Sequence, residues 1–412
     1  MSILKEDAKK ILLSDWLCPE IVDREEEVRE LDEAVFHTLL TEQIPPITFV
    51  YGASGTGKTF IVKRLFKDRL DEIRKHLPRF NYFYLNVREF EVASLHAFWV
   101  FLSKKLENYL PIYSDYMGCN LTSIPARGWQ TDDYKAVVKE IIKSNALSIV
   151  VILDEVDKMN TSDFESLVYQ VHGFGEDLPD YIGISVIAIS NKINFLKLLS
   201  KPVFDRIAVK VHFKSYTVTD LFQILKVHAK YSLKEGSYDD ETLLKIAKTV
   251  FDISTSARDV KLTLYNLAKM SNDKLDGNLV IRAFEETKKD LISEEIRVRP
   301  LHHKLALYSV IKFYQQIKEA EELGKKARLL KYAVPIPTIS NIYKVYVNLC
   351  KQIGEKSKSY RTFFDIIDDL DKKGLIRKDV QSLGRARGIT TIVQPIESVK
   401  FLEPIVRGAI GL

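Results

Sequence analysis

The run Gly52-Ala-Ser-Gly-Thr-Gly57-Lys58-Thr59 constrains this chain more than any other feature. It matches GxxxxGK[ST] in full, and its context agrees: a β-type run, Ile47–Tyr51, precedes it, and a helical run, Lys58–Leu70, follows. Glycines let the backbone curl so that successive N–H groups point into one cavity, where they receive phosphate oxygens. The helix N-terminus adds positive potential. Lys58 then reaches the β- and γ-phosphates and the Thr59 hydroxyl ligates Mg²⁺. The alternative, a glycine-rich turn without a ligand, does not need the flanking strand and helix. The run predicts ATP/ADP and Mg²⁺ as cofactors, with Gly52, Ser54, Gly55, Thr56, Gly57, Lys58, Thr59 and Phe60 around the nucleotide and Thr59 and Asp154 on the metal.

Ile149-Val-Val-Ile-Leu-Asp154-Glu155 is the partner signal. An apolar strand delivers Asp154 to the edge of a sheet, where a carboxylate holds Mg²⁺ through its water shell. Glu155 lies where a base could orient an attacking water. Alone, the pair could be an acidic cap after a strand. Asn191 ends a further apolar run, Ile184–Ser190, at a place suited to the γ-phosphate or the water; a plain strand-end turn residue is the alternative. Arg258 opens a helix from which a guanidinium could reach the γ-phosphate and couple lid position to nucleotide; otherwise it is a surface arginine.

The length of 412 residues predicts two or three domains. Across 45–290, strand-like runs (Ile47–Tyr51, Tyr82–Val87, Ser148–Leu153, Ile184–Ser190) alternate with helical ones (Lys58–Leu70, Ser94–Tyr109, Asp132–Lys143), which predicts a parallel α/β sheet. Thr219–Lys230, Asp239–Val250, Ser256–Met270 and Asp276–Asp290 read as four amphipathic helices. Glu294–Pro300 reads as a polar link. Beyond it, helices at Leu301–Ile317, Ile339–Ile353 and Lys358–Lys373, then Gly374–Val380, a Gly/Arg-rich turn and Ile389–Val393, predict a winged helix. The expected domains are 1–218, 219–293 and 294–412.

Charge separates these parts. Residues 300–412 carry 20 Lys+Arg against 11 Asp+Glu, whereas 1–299 carry 41 against 45. A basic C-terminal part suits nucleic acid, although a solvated basic surface would look the same. The last helix would read DNA, with Lys358, Ser359, Tyr360 and Arg361 at its start meeting phosphates and groove edges. Phe363, Phe364, Ile366, Ile367 and Leu370 would form its core face. Arg385 and Arg387 would tip the wing. Cys18, Cys119 and Cys350, odd in number and far apart, suggest buried free thiols. No run is long and apolar enough for a membrane span, and the N-terminus is not a secretory signal, so a cytoplasmic, nucleoid-associated chain is expected.

In this order these motifs resemble the archaeal origin-recognition and replication-initiator (Orc/Cdc6-like) family of AAA+ proteins. The likeness rests on Pro19-Glu-Ile-Val-Asp-Arg24-Glu25, the phosphate loop, Asp154-Glu155, Asn191, Ser256-Ala257-Arg258-Asp259 and the winged helix. It implies an α/β P-loop AAA+ ATPase core with a helical lid subdomain, followed by a winged-helix domain. It further implies that Val22–Arg24 flank the adenine, that Asn191 and Arg258 are the first and second sensors, and that Ile124–Trp129 tip a DNA-contacting insertion, with Arg127 and Gly128 at the duplex. As a bare loop, the same stretch could instead tuck Trp129 into the core. The arginine-finger segment of the family is loose here: Arg206 is the candidate, with Tyr216 following as a candidate nucleotide contact. The implied function is an ATP-dependent replication initiator with slow hydrolysis, bound to double-stranded origin DNA, with initiator paralogues and the replicative helicase as further partners. A DNA-binding regulator that restrains initiation needs the same residues. A remodelling or clamp-loader-like ATPase would need a clear arginine finger.

Overall fold

The central strands are apolar along their whole length because both faces of their sheet are covered. In the computed structural model, β1 (Thr48–Gly52), β2 (Phe80–Asn86), β3 (Ser148–Asp154), β4 (Gly183–Ser190) and β5 (Val209–Phe213) pair in the order β2-β3-β4-β1-β5, every pair parallel. The structure describes residues 3–14, 16–88, 94–110, 115–116, 119–120, 123–125, 127–327, 336–382 and 389–411. All of β3 and β4 is buried. Alternate residues divide between two cores, as a period of two requires. Phe49, Ile149, Val151 and Val186 face one core, and Val50, Val150, Ile152 and Ile187 face the other.

The chain opens with α1 (Ala8–Leu13) and α2 (Glu25–Leu31), the second continuing through a π turn over Asp32–Phe36. α2 and α3 (Lys58–His76) cover one face of the sheet through Leu31, Ile61, Val62 and Phe66. α4 (Leu95–Leu106), α5 (Thr131–Ser144) and α6 (Thr161–His172) cover the other through Phe98, Trp99, Val138, Ile142, Phe164 and Leu167. A short α7 (Lys201–Arg206) precedes β5. The sequence does not announce that strand, because Val209-Lys-Val-His-Phe213 alternates as an edge strand does, rather than running apolar.

Four helices follow: α8 (Val218–Ser232), α9 (Asp240–Phe251), α10 (Ala257–Met270) and α11 (Val280–Arg297). Local chemistry starts them. Thr217 and Asp220 form a capping box, and the Asp239 and Ser256 side chains accept from Thr242 N–H and Asp259 N–H. The N-terminal segment folds onto this subdomain: α1 packs on α8 and α10, Leu4 pairs with Leu233, and Lys5 N–H donates to Ser232 O at 2.9 Å.

The chain divides into two compact units, Met1–Ala283 and Phe284–Leu412. The expected link Glu294–Pro300 is mostly helix, since α11 runs to Arg297, with Ile296 buried and Glu295 paired to Arg299. In the second unit, α12 (Leu301–Ala327) packs on α13 (Ile339–Gln352), on α14 (Tyr360–Lys372) and on α15 (Val399–Ile410), a helix beyond those expected. β6 (Ile376–Ser382) and β7 (Ile389–Pro395) form an antiparallel hairpin, and Thr338 bridges to Ile392. Tyr308, Ile311, Tyr346, Phe363, Ile367, Leu402 and Val406 fill its core. Phe364 departs from expectation: it is 39% exposed, one residue off the buried stripe of Phe363, Ile367 and Leu370. The turn that carries Arg385 and Arg387 lies outside the described residues. Among the described residues no helix is long and apolar enough to cross a membrane, and Cys18 and Cys350 are buried free thiols.

Candidate functional site

Strand order brings the sequence motifs to one place. β3, β4 and β1 are neighbours, with Asp154 opposite Ile189 and Tyr51 opposite Ser190, so the loops after all three strands meet at one end of the sheet. There a cavity of about 440 Å³ is lined by Val22, Arg24, Ser54, Gly55, Gly57, Lys58, Thr59, Phe60, Asp154, Glu155, Asn191, Tyr216 and Arg258. The rest of its wall comes from the end of α1 and the segment after it, from α3, from the end of β2, and from α8 and α10.

The phosphate loop is held from within. Lys58 Nζ donates to Gly52 O (2.9 Å) and Ala53 O (2.6 Å), and lies 3.4 Å from Thr56 Oγ1. Burial pushes its ammonium down to about 8, against the upward pull of the Asp154 and Asp157 carboxylates. Thr56 is fully buried and its hydroxyl donates to Ala53 O, so it braces the loop rather than lining the cavity. Gly57 takes φ +91°, and a Cβ there would lie 2.8 Å from the Tyr216 hydroxyl.

Asp154 is the best-anchored acid. Oδ2 accepts from Thr59 Oγ1 (2.7 Å) and Tyr84 Oη (2.9 Å), and Oδ1 accepts from Glu155 N–H (2.8 Å). Glu155 differs. It sits at φ +57°, a left-handed conformation rare for a side-chain-bearing residue, and its Oε2 is buried without a hydrogen-bond partner. Asp157 accepts from Asn191 N–H at 3.0 Å; burial raises its carboxyl, but that N–H and Lys158 hold it below the usual range.

Arg24 and Tyr216 line the cavity but engage protein atoms. Arg24 is buried, donates to Thr56 O (3.2 Å) and Lys214 O (2.8 Å), and stacks 3.9 Å from the Tyr216 ring centre. The pair buttresses the phosphate loop from below. Arg206 lies outside the cavity, 4.4 Å from the Tyr169 ring centre and donating to Pro202 O.

Sequence reasoning missed Trp16, Tyr84, Asn86, His228 and Lys261. Lys261 was findable, since it stands one turn beyond Arg258 on the same helix. Asn86 required the sheet order, which sets it beside Asp154. Trp16 and His228 meet only through the fold of the N-terminal segment on α8, their rings 5.9 Å apart. Burial, with Lys261 nearby, pushes His228 down to about 4, so it is neutral at ordinary pH. Its Nδ1 faces Ile224 O at 2.8 Å and therefore carries the proton, leaving Nε2 as an acceptor. With Leu12, Leu17, Val22 and Ile224, these rings make an apolar end to a cavity whose other end is polar.

Such a cavity fits a nucleoside triphosphate with a divalent cation: an apolar slot for a base, a curled loop with a buried ammonium for phosphates, a hydroxyl–carboxylate pair for the metal's shell, and beyond them a carboxylate with one buried oxygen left without a hydrogen bond.

Away from the cavity, Arg127 and Gly128 are exposed, and a Cβ on Gly128 would meet nothing within 4 Å. Trp129 packs on the core and lies 5.4 Å from the Tyr134 ring, so among the described residues no exposed aromatic wedge stands beside Arg127. In the winged helix, Lys358 and Arg361 are exposed and Tyr360 is 45% exposed. Ser359 caps α14, accepting from Thr362 N–H at 3.2 Å, so its hydroxyl is already engaged. Lys358 is fixed through its backbone: its N–H donates to Tyr346 Oη (3.1 Å) and its carbonyl accepts from Tyr343 Oη (2.9 Å).

Two family profiles match the chain in order. One, described as an ATPase domain predominantly from Archaea, covers residues 21–210; the other, the C-terminal winged-helix domain of CDC6, covers 329–396. An ORC1-type DNA replication protein 3 from Sulfurisphaera tokodaii is 27% identical over 92% of this chain and 87% of its own length. An ORC1-type DNA replication protein from Thermococcus kodakarensis is 26% identical over 92% and 85%. Among solved structures, the Aeropyrum pernix ORC1 protein in complex with DNA matches at TM-score 0.77 with 22% identity, covering 99% of this chain and 98% of that one, which bears on the fold. An ATPase profile, a CDC6 winged-helix profile and relatives aligned over 92% of the chain agree: along nearly its whole length the chain is similar to ORC1-type DNA replication proteins.

Proposed function

We propose that this chain is an ATP-switched, duplex-DNA-binding protein of replication initiation. Bound ATP with Mg²⁺ supplies a phosphoanhydride bond and the charge that draws core and lid together. Lys58 and the loop N–H groups hold its β- and γ-phosphates, and Thr59 and Asp154 orient the metal's water shell. Glu155 orients the attacking water and takes its proton, while Asn191 and Arg258 sense the γ-phosphate from core and lid. Hydrolysis is slow and serves as a switch. The winged helix binds DNA with Lys358, Arg361 and its wing, and Arg127 adds a phosphate contact. The observation that carries this reading is the convergence of Lys58, Asp154, Glu155 and Arg258, from two subdomains, on one cavity that ends in an apolar slot.

The test is a footprint on origin-containing duplex DNA at fixed salt, with ATP, with ADP and without nucleotide. A nucleotide-dependent footprint that disappears in Lys58→Ala is expected, with affinity falling steeply as salt rises. An identical footprint in all three states would sink the switch.

Nucleotide affinity should also depend on pH. Without ligand Lys58 titrates at about 8, and phosphate anions would raise that value. The charged form binds, so affinity is at its full value below pH 8. It is expected to fall by up to about tenfold per pH unit above that. Titration of a fluorescent ATP analogue at pH 7 and pH 9 checks this, and a flat profile would contradict it.

A further inference from the structure

α14 is an unusual helix to lay on DNA, because it carries four aspartates: Asp365, Asp368, Asp369 and Asp371. Three of them are engaged within the second unit. Asp368 pairs with Lys378, Asp369 with Arg299 at 3.2 Å, and Asp371 Oδ1 accepts from Lys378 N–H at 2.9 Å. Asp365 is exposed and has no ion pair among the described residues. It stands one turn beyond the exposed Arg361 and beside the exposed Phe364, so these three make a single outward stripe on the first two turns of the helix. The helix is firmly mounted. Tyr346 is fully buried, its hydroxyl lies 2.8 Å from His302 Nδ1 and accepts from Lys358 N–H, and the Ser359 cap fixes the first turn.

In a helix-turn-helix reader, the N-terminal turns of the recognition helix meet base edges, while phosphates lie to either side. A carboxylate facing phosphate is repelled, and one facing guanine or the thymine carbonyl meets only acceptors. Adenine and cytosine each offer an exocyclic amino donor in the same groove, but adenine's stands beside its N7 acceptor, which repels a carboxylate, so Asp or Glu matches cytosine.

We propose that Asp365 is a sequence-reading residue, its carboxylate accepting a hydrogen bond from the N4 amino group of a cytosine in the major groove. This rests on the winged helix being the DNA-binding domain. Arg361, roughly 6 Å back along the helix axis, is placed to meet the neighbouring step. Asp365 thus acts by exclusion as much as by attraction: it lowers affinity for bulk duplex and leaves one base pair where that loss is repaired.

The experiment enriches a randomised duplex library on the full chain with ATP at fixed salt, for wild type, Asp365→Ala and Asp365→Asn. Position 365 is exposed, so the variants are expected to fold as wild type does. Wild type should prefer cytosine at one position by about tenfold. Asp365→Ala should lose that preference and bind bulk duplex severalfold more tightly, having lost a repulsive charge. Asp365→Asn should shift the preference toward adenine, whose N6 and N7 suit an amide. If all three enrich the same bases at the same strength, the assignment is overturned while DNA binding stands. If wild type retains no duplex at all, the DNA reading of the domain falls, and this assignment with it.

Discussion

Replacing Glu155 by Gln is expected to lower single-turnover ATP hydrolysis by at least about 100-fold while leaving nucleotide binding nearly intact, the range in which a positioned base acts. The two adjacent acids have different surroundings. Asp154 has both oxygens engaged by Thr59, Tyr84 and its neighbour's N–H, which suits a residue that orients a metal's water shell and does not itself exchange protons. Glu155 has a buried oxygen with no partner, and its backbone is held at φ +57°. A left-handed residue costs roughly 1–2 kcal/mol. The fold tolerates that cost where the strand must end abruptly and turn the next side chain into the cavity. Glutamine keeps the shape and removes the basicity, so binding should survive and turnover should not. Phosphate release in a single-turnover format, beside equilibrium binding of a fluorescent analogue, separates the two. Hydrolysis at the wild-type rate in Glu155→Gln would remove this residue from the chemistry.

The parts of the site that were legible in the sequence are those whose chemistry is local. A phosphate loop, an acidic pair at a strand end and a polar residue after the next strand each announce themselves within ten residues. Parallel pairing brings the rest, because adjacent parallel strands end on the same side. What stayed hidden depends on long-range packing. Trp16 and His228 become a wall only because α1 lies on α8 and α10, and nothing in either local sequence announces that contact. β5 was missed for a related reason: as an edge strand it exposes His212, and so lacks the uniform apolar run of the others. Arg24 was read as a neighbour of the adenine, whereas its guanidinium grips Thr56 and Lys214 carbonyls, a role visible only when both loops are in place. Phe364 shows the limit of periodicity: two adjacent aromatics cannot both face the core of one helix, and the 39% exposure of the second marks it as part of the outer stripe.

Gly55→Ala is expected to separate the lid from the phosphate loop, and with it to abolish tight nucleotide binding. Gly55 adopts φ +77°, and a Cβ would lie 2.1 Å from Ser256 Oγ, 2.6 Å from its Cβ and 3.0 Å from its Cα. Ser256 is the cap of α10, and the next residue, Ala257, donates its N–H to Gly55 O at 3.0 Å. The glycine-rich loop and the helix that carries Arg258 and Lys261 therefore touch through the Ala257 N–H to Gly55 O bond and through Ser256, whose hydroxyl can rotate but whose Cβ and Cα cannot. An alanine must either strain the loop, at about 1–2 kcal/mol, or push the whole start of α10 outward, an overpacking cost of about 1–3 kcal/mol. The first outcome distorts the loop that faces the cavity, and the second takes Arg258 away from it. A Tm lower by several degrees without nucleotide, and no further rise on adding ATP, is expected. Lys58→Ala should differ: it too should lose the ATP-induced rise, but its lid contact is untouched. Ser256→Gly on the Gly55→Ala background removes two of the three close atoms, so it should recover part of the lost Tm, a non-additive pair as contacting residues give. If the double variant is as defective as the single one, crowding between loop and lid is not the cause, and the coupling of nucleotide to lid must run through Arg258 alone.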